Sequence, residues 1–190
     1  SKEKHEPHRN EPLIFVVLVT LVTLGSLFLN FVDVKIKSGT TVIQEIQMTG
    51  IKLLSDFAVL GAGYQTLAFI IVLMVICSGL GLIMTLSAFF SHYKGYARIA
   101  KITTYVNLFF IFVFGISGLY FTIATKVTVD STEALIKNYC PAYSSGSYTY
   151  EMRTDTFYAL IVDVVIWICM LLRNALDGSP AAAIVSEAPE

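Results

Sequence analysis

Four runs of the chain, residues 13–32, 67–90, 102–125 and 156–172, hold a single charged side chain between them, Asp163. A bilayer core about 30 Å thick needs roughly 20 apolar residues of helix, and a backbone in lipid has to satisfy its own hydrogen bonds, as helices do. The spacing predicts an all-α membrane protein: a bundle of four spanning helices, with loops at 33–66, 91–101 and 126–155 and tails at 1–12 and 173–190. The first run follows a charged tail, as a signal peptide would. It is too long for a signal-peptide core and no small-x-small site follows it, so it reads as a retained span.

Only 14% of the 190 residues are charged, against about 25% in a soluble domain. The net charge is −1 and no run of Lys or Arg forms a basic face, which excludes a nucleic-acid binder. Orientation follows the density of Lys and Arg in the short flanks. The loop "SHYKGYARIAK" carries Lys94, Arg98 and Lys101 with no acid, and the N-terminal tail and Arg173 add to the same side. Six further cations are spread over the two longer loops among acids. Both termini are therefore expected in the cytoplasm, with the chain in the cell membrane and residues 33–66 and 126–155 outside.

The first outer loop alternates apolar and polar residues in "VDVKIK", turns at "SG", and resumes with "TTVIQEIQM". Two β-prone runs around such a turn read as a small hairpin. "TGIKLL" reads as a further strand or a short helix. The second run extends back without charge to Phe57, so its helix either starts at a Ser55 or Asp56 cap or is broken by the glycines of "GAG". The second outer loop is polar, and Tyr139, Cys140, Tyr143, Tyr148 and Tyr150 mark it as a contact loop, since tyrosine gives rigid area with a polar tip. The blander reading rests these tyrosines at the membrane interface or on the first loop. Cys140 is the only outer cysteine, open to a bridge with another chain, a lipid or a free thiol, the last preferred. Cys77 and Cys169 read as small packing residues, and Cys169 also as a palmitoylation candidate. Pro and Ala in residues 177–190 suggest a disordered tail.

Several chemistries find no residues. The histidines are His5, His8 and His92, none within a span, so no axial haem ligand is available. The H-x-x-H of His5 and His8 is a weak metal motif in a tail. No phosphate loop, H-E-x-x-H or G-x-S-x-G is present, and no second acid accompanies Asp163. The expectation is a chain without catalytic, cofactor or metal site. The layout is similar to that of the claudin and peripheral-myelin-protein group, and loosely to tetraspanins. The loop 33–66 lacks the Trp and paired Cys of claudins, and Cys140 is followed by Pro141 where tetraspanins carry Cys-Cys-Gly. Neither barrier-forming nor web-forming function is carried over.

In lipid, small residues and hydrogen bonds bring helices together. Gly25, Gly79, Gly81, Gly115 and Gly118 are the expected packing positions. Asp163 lies about 10 Å from the outer end of its run, and the same depth on the neighbouring runs falls at Gly25 and Ser26 and at Ser117 and Gly118. Trp167, one turn away on the same face, offers an indole N–H. Asp163, Trp167, Ser26 and Ser117 are thus the expected intramembrane polar node, either a structural lock or an ion or proton site. The acid costs about 2.5–3.5 kcal/mol against about 0.3–0.6 returned by each large apolar residue, so the fourth span should be the least self-sufficient. The reading that follows is a non-enzymatic accessory or scaffold subunit whose partners are the bilayer and other membrane subunits or copies of itself. The alternatives are a small oligomeric channel or transporter using Asp163, and a cell-surface adhesion protein.

Overall fold

The computed structural model describes residues 10–177. The tail readings at 1–9 and 178–190, including His5 and His8, lie outside them. Four helical segments are long and apolar enough to cross a membrane: α1 (Asn10–Gly25) together with the 3-10 turn that follows it to Phe28, α3 (Ala62–Phe90), α4 (Tyr96–Phe121) and α6 (Phe157–Asp177). Between them stand β1 (Asn30–Ser38), β2 (Thr41–Thr49), the short α2 (Gly50–Ser55), α5 (Lys126–Tyr139) and β3 (Thr149–Arg153).

Each boundary has a local cause. α1 closes in a 3-10 turn at Ser26–Phe28, where the Ser26 hydroxyl donates to the Thr23 carbonyl at 2.6 Å. The alternating "NFVDVKIKS" then takes the chain into β1, so the apolar run 13–32 is part helix and part strand. The hairpin turns at Gly39, whose φ of +65° suits a residue without Cβ. Thr49 caps α2 by accepting from the Lys52 N–H at 3.1 Å. α3 starts after Gly61, so of the two starts open in the sequence the glycines set it. At 29 residues it is about 44 Å long, and its first turns stand in the sheet module.

The loop 126–155 is more ordered than its polarity suggested. Thr125 and Thr128 form a reciprocal capping box at the start of α5. β3 returns to pair antiparallel with β1, giving one sheet in the order β2-β1-β3. Both loops therefore build a single module, covered by α2 and α5 and seated on the ends of α3 and α4. Its core is the largest in the molecule. Phe31 of β1 meets Phe114 at 5.4 Å and Phe121 at 5.8 Å between ring centroids, and Tyr64 stacks on Phe121 at 4.6 Å. The Tyr64 hydroxyl bonds Thr132 of α5 at 3.2 Å. A Cβ on Gly63 would sit 2.5 Å from the Ser131 hydroxyl, so α5 lies directly against the start of α3.

In the bundle, α4 packs against α1, α3 and α6, and α1 also against α3. Only 17% of the α6 span is buried, against 44% for α4, so α6 is the least covered helix.

One carboxylate is poorly placed in the sheet. Burial raises the pKa of Asp33, and Glu45, on the same face of β2, adds to the shift while Lys35 opposes it. A carboxyl whose folded pKa is raised supports the fold while protonated, and that support is lost as pH rises through the folded value. Asp33→Asn should raise thermal stability at neutral pH, with the gain vanishing in acid. Melting curves at both pH values test this; an equal gain at both would assign the effect elsewhere.

Candidate functional site

The spans carry one bonded cluster of buried polar side chains and two buried polar side chains without partners. The cluster centres on Asn107, the only amide in the runs 67–90, 102–125 and 156–172. Its Oδ1 accepts from Thr23 of α1 at 2.7 Å and from Ser78 of α3 at 2.5 Å, and its Nδ2 donates to the Thr103 carbonyl at 2.9 Å. The Thr23 proton is shared with the Val19 carbonyl, also at 2.7 Å. Asn107 thus ties α1, α3 and α4 together. Interhelical hydrogen bonds in membranes average about 0.6 kcal/mol, so Asn107→Ala should cost about 1–2 kcal/mol in detergent unfolding titrations. A Thr23→Val, Asn107→Ala cycle would show coupling; full additivity would sink the joint.

Two further buried polar side chains, Asp163 of α6 and Thr20 of α1, have no hydrogen-bond partner. Ala159, Asp163 and Ile166 are the buried positions of α6, with Thr156 buried just before it, and their spacing puts them on one helical face. The acid therefore points into the bundle. It is 1% exposed, and neither carboxyl oxygen has a hydrogen-bond partner. Ala159 and Ile166 pack with Val19 of α1 and with Leu108 and Ile111 of α4, which walls Asp163 with apolar groups. Two contacts set its level. Thr156 donates to the Gly115 carbonyl at 3.1 Å, and Trp167 lies on Tyr105, which together bring Asp163 level with residues near Phe109.

Thr20 is 2% exposed and its hydroxyl also lacks a partner. Thr23, Thr85 and Thr104 each reach the carbonyl four residues back, the usual refuge of a helical threonine. Thr20 does not. No sequence motif marks it; only the packing of α1 against α3 and α4 does.

The expected node around Asp163 is corrected. Trp167 does not donate to the acid but stacks its indole on Tyr105, with centroids 5.3 Å apart. Ser26 spends its proton on Thr23, and Ser117 is half-buried more than a turn away in level. Counting from the ends of apolar runs misjudged depth, because helix α4 spans Tyr96–Phe121 rather than 102–125 and α1 gives way to β1 before residue 32.

The glycines divide likewise. A Cβ on Gly81 would meet the Thr103 side chain at 2.6 Å, marking the α3–α4 contact. Gly115 faces Leu160, and Gly118 faces the hydroxyls of Thr154 and Thr156, where α4 and α6 close on one another. Gly25 and Gly79 have open space beside them and mark no contact.

The tyrosine loop is internal packing rather than an open contact surface. Tyr143 is buried and lies 6.4 Å from both Tyr148 and Tyr150. Tyr139 donates to the Asp56 carboxylate beneath Lys52; burial first, and that carboxylate second, hold its phenol above the usual range. Cys140 is a buried free thiol, and Cys169 is exposed rather than packed. Glu151 pairs with Lys37 at 2.6 Å across the sheet. Among the described residues no cluster of His, Cys, Asp and Glu fits a metal ion.

Compared with protein-family models, with curated proteins and with solved structures, the chain matches none.

Proposed function

We propose that the chain is a multi-pass protein of the cell membrane, both termini cytoplasmic, acting as a non-enzymatic accessory or scaffold subunit of a larger membrane assembly. The charge distribution supports the orientation. Lys94, Arg98, Lys101 and Arg173 gather at the end holding the α3–α4 turn, against Glu11 and Asp177, while the sheet module carries six cations and seven acids. The observation that carries the subunit reading is the module itself. It is a rigid platform clamped to two spans, with β2 as an uncovered edge strand bearing exposed Val42 and Ile43 at its tip. An edge with exposed apolar residues invites pairing. Extraction in mild detergent with cross-linking tests it: partners or further copies should be trapped through β2, and a strictly monomeric species would count heavily against it.

A second reading, a small oligomeric channel or transporter, draws support from the unpartnered Asp163, since acids inside membranes usually mark ion or proton pathways. Its test is cation and proton flux in proteoliposomes, wild type against Asp163→Asn. Equal flux in both removes that reading.

A further inference from the structure

We propose that the cleft between the ends of α1, α4 and α6 binds the phosphate headgroup of an anionic phospholipid, held by Lys101 and Arg173. The proposal rests on the multi-pass reading alone, since a bound lipid serves a scaffold subunit and a transporter equally.

The cleft encloses about 250 Å³, room for a phosphate diester and its glycerol. It lies where α1 and α4 begin and α6 ends. Lys101 enters it from α4 and Arg173 from α6, and among the described residues no acid lines it. The remaining walls are largely apolar: Phe15 of α1, Ala97 of α4, Met170 of α6 and the ring of Tyr105.

Both cations are positioned by the fold. Arg173 pairs with Glu11 of α1 and lies over the Phe15 ring, 5.6 Å from its centre. Lys101 sits 6.0 Å from the centre of the Tyr105 ring. Glu11 offsets the charge of Arg173, whereas among the described residues no acid pairs with Lys101. A phosphate diester carries one negative charge and supplies that offset.

Depth selects a lipid over a soluble anion. Lys101 is five residues inside the start of α4 and Arg173 four residues before the end of α6. That places both about 6–8 Å in from the helix ends, where long basic side chains lay their stems on apolar surface and keep the charge at the interface. Basic pockets between spans hold anionic headgroups in this way, and Lys94 and Arg98 draw such lipids to the same end. Phe15 and Met170 give the glycerol and the first acyl carbons a surface to pack on. A free phosphate ion makes no use of either.

The test uses the full chain, floated with vesicles of phosphatidylcholine and phosphatidylglycerol and then extracted in mild detergent. Native mass spectrometry identifies the lipid retained, and phosphatidylglycerol added back gives the affinity. The expected result is a phosphatidylglycerol adduct kept in preference to phosphatidylcholine. Lys101→Gln should weaken it about fivefold, the worth of one cation near a membrane surface. Lys94→Gln removes the same charge from the same end outside the cleft and should leave the affinity unchanged. Ala97→Phe fills the cleft, keeps both cations and should remove the adduct. Equal retention of the two lipids, or equal weakening by Lys94→Gln and Lys101→Gln, overturns the proposal. Displacement of the lipid by millimolar inorganic phosphate assigns a soluble anion and overturns it as well. A chain that does not float with the vesicles removes the multi-pass reading and this site together. One that floats without preferring phosphatidylglycerol removes the site alone.

Discussion

Asp163→Leu makes the bundle harder to unfold, by about 2–3 kcal/mol in detergent titrations. Leucine has the same number of side-chain heavy atoms as aspartate in nearly the same branched shape, so it fits the space without opening a cavity. What it removes is a carboxyl with no hydrogen-bond partner in a wall of Val19, Leu108, Ile111, Ala159 and Ile166. Replacing buried charged groups by apolar residues of similar volume commonly stabilises by about 1–4 kcal/mol. The sign separates the two roles open to this acid. A carboxyl that locked α6 to its neighbours by hydrogen bonds would make the leucine variant weaker. Asp163→Asn should gain little, because the amide brings its own donors into the same apolar wall. A loss of stability in the leucine variant would mean that Asp163 holds the bundle together.

The sequence reading and the structure part company for identifiable reasons. Long uncharged runs need no tertiary information, so the four helices, the β1–β2 hairpin and the acid inside the last run were legible from residue order. The lengths of apolar runs were a poor guide to depth, since α1 ends in a turn and β1 takes over its last apolar residues. α5 was hidden because the Thr125–Thr128 box involves no acid at the third helical position and the loop looked merely polar. β3 was hidden because its partner, β1, lies more than a hundred residues earlier. The tyrosines carried a contact signature, yet what decides their role is the sheet they pack on, which no local pattern encodes. Asn107 is the lone amide of its run, but only the approach of Thr23 and Ser78 shows that it is the joint. Thr20 had no local signal. It is identified by the bond that it does not make.

Phe31→Ala should be the most damaging single change, lowering stability by about 3–5 kcal/mol, the usual cost of deleting a fully buried phenylalanine. Strict alternation from Val32, Val34 and Ile36 would turn Phe31 toward the opposite face with Asp33 and Lys35. The register slips between Asn30 and Val32, and a bulge of this kind puts two successive residues on one face, so Phe31 and Val32 are both buried. The slip delivers the ring to Tyr64, Phe114 and Phe121, joining the sheet to α3 and α4. Aromatic pairs add about 0.5–1.5 kcal/mol beyond the area they bury, so Phe31→Leu should lose less than alanine but more than a volume-conserving swap in an aliphatic core. The alanine variant should also become sensitive to protease in the hairpin while its four spans stay protected, because the joint fails before the helices do. If β2 is the contact edge, cross-linking to partners should fall with it, although Val42 and Ile43 are untouched. A loss below about 1 kcal/mol, with the hairpin still protected, would mean that the strands hold their place on the bundle without this ring, and the rigid platform would need another clamp.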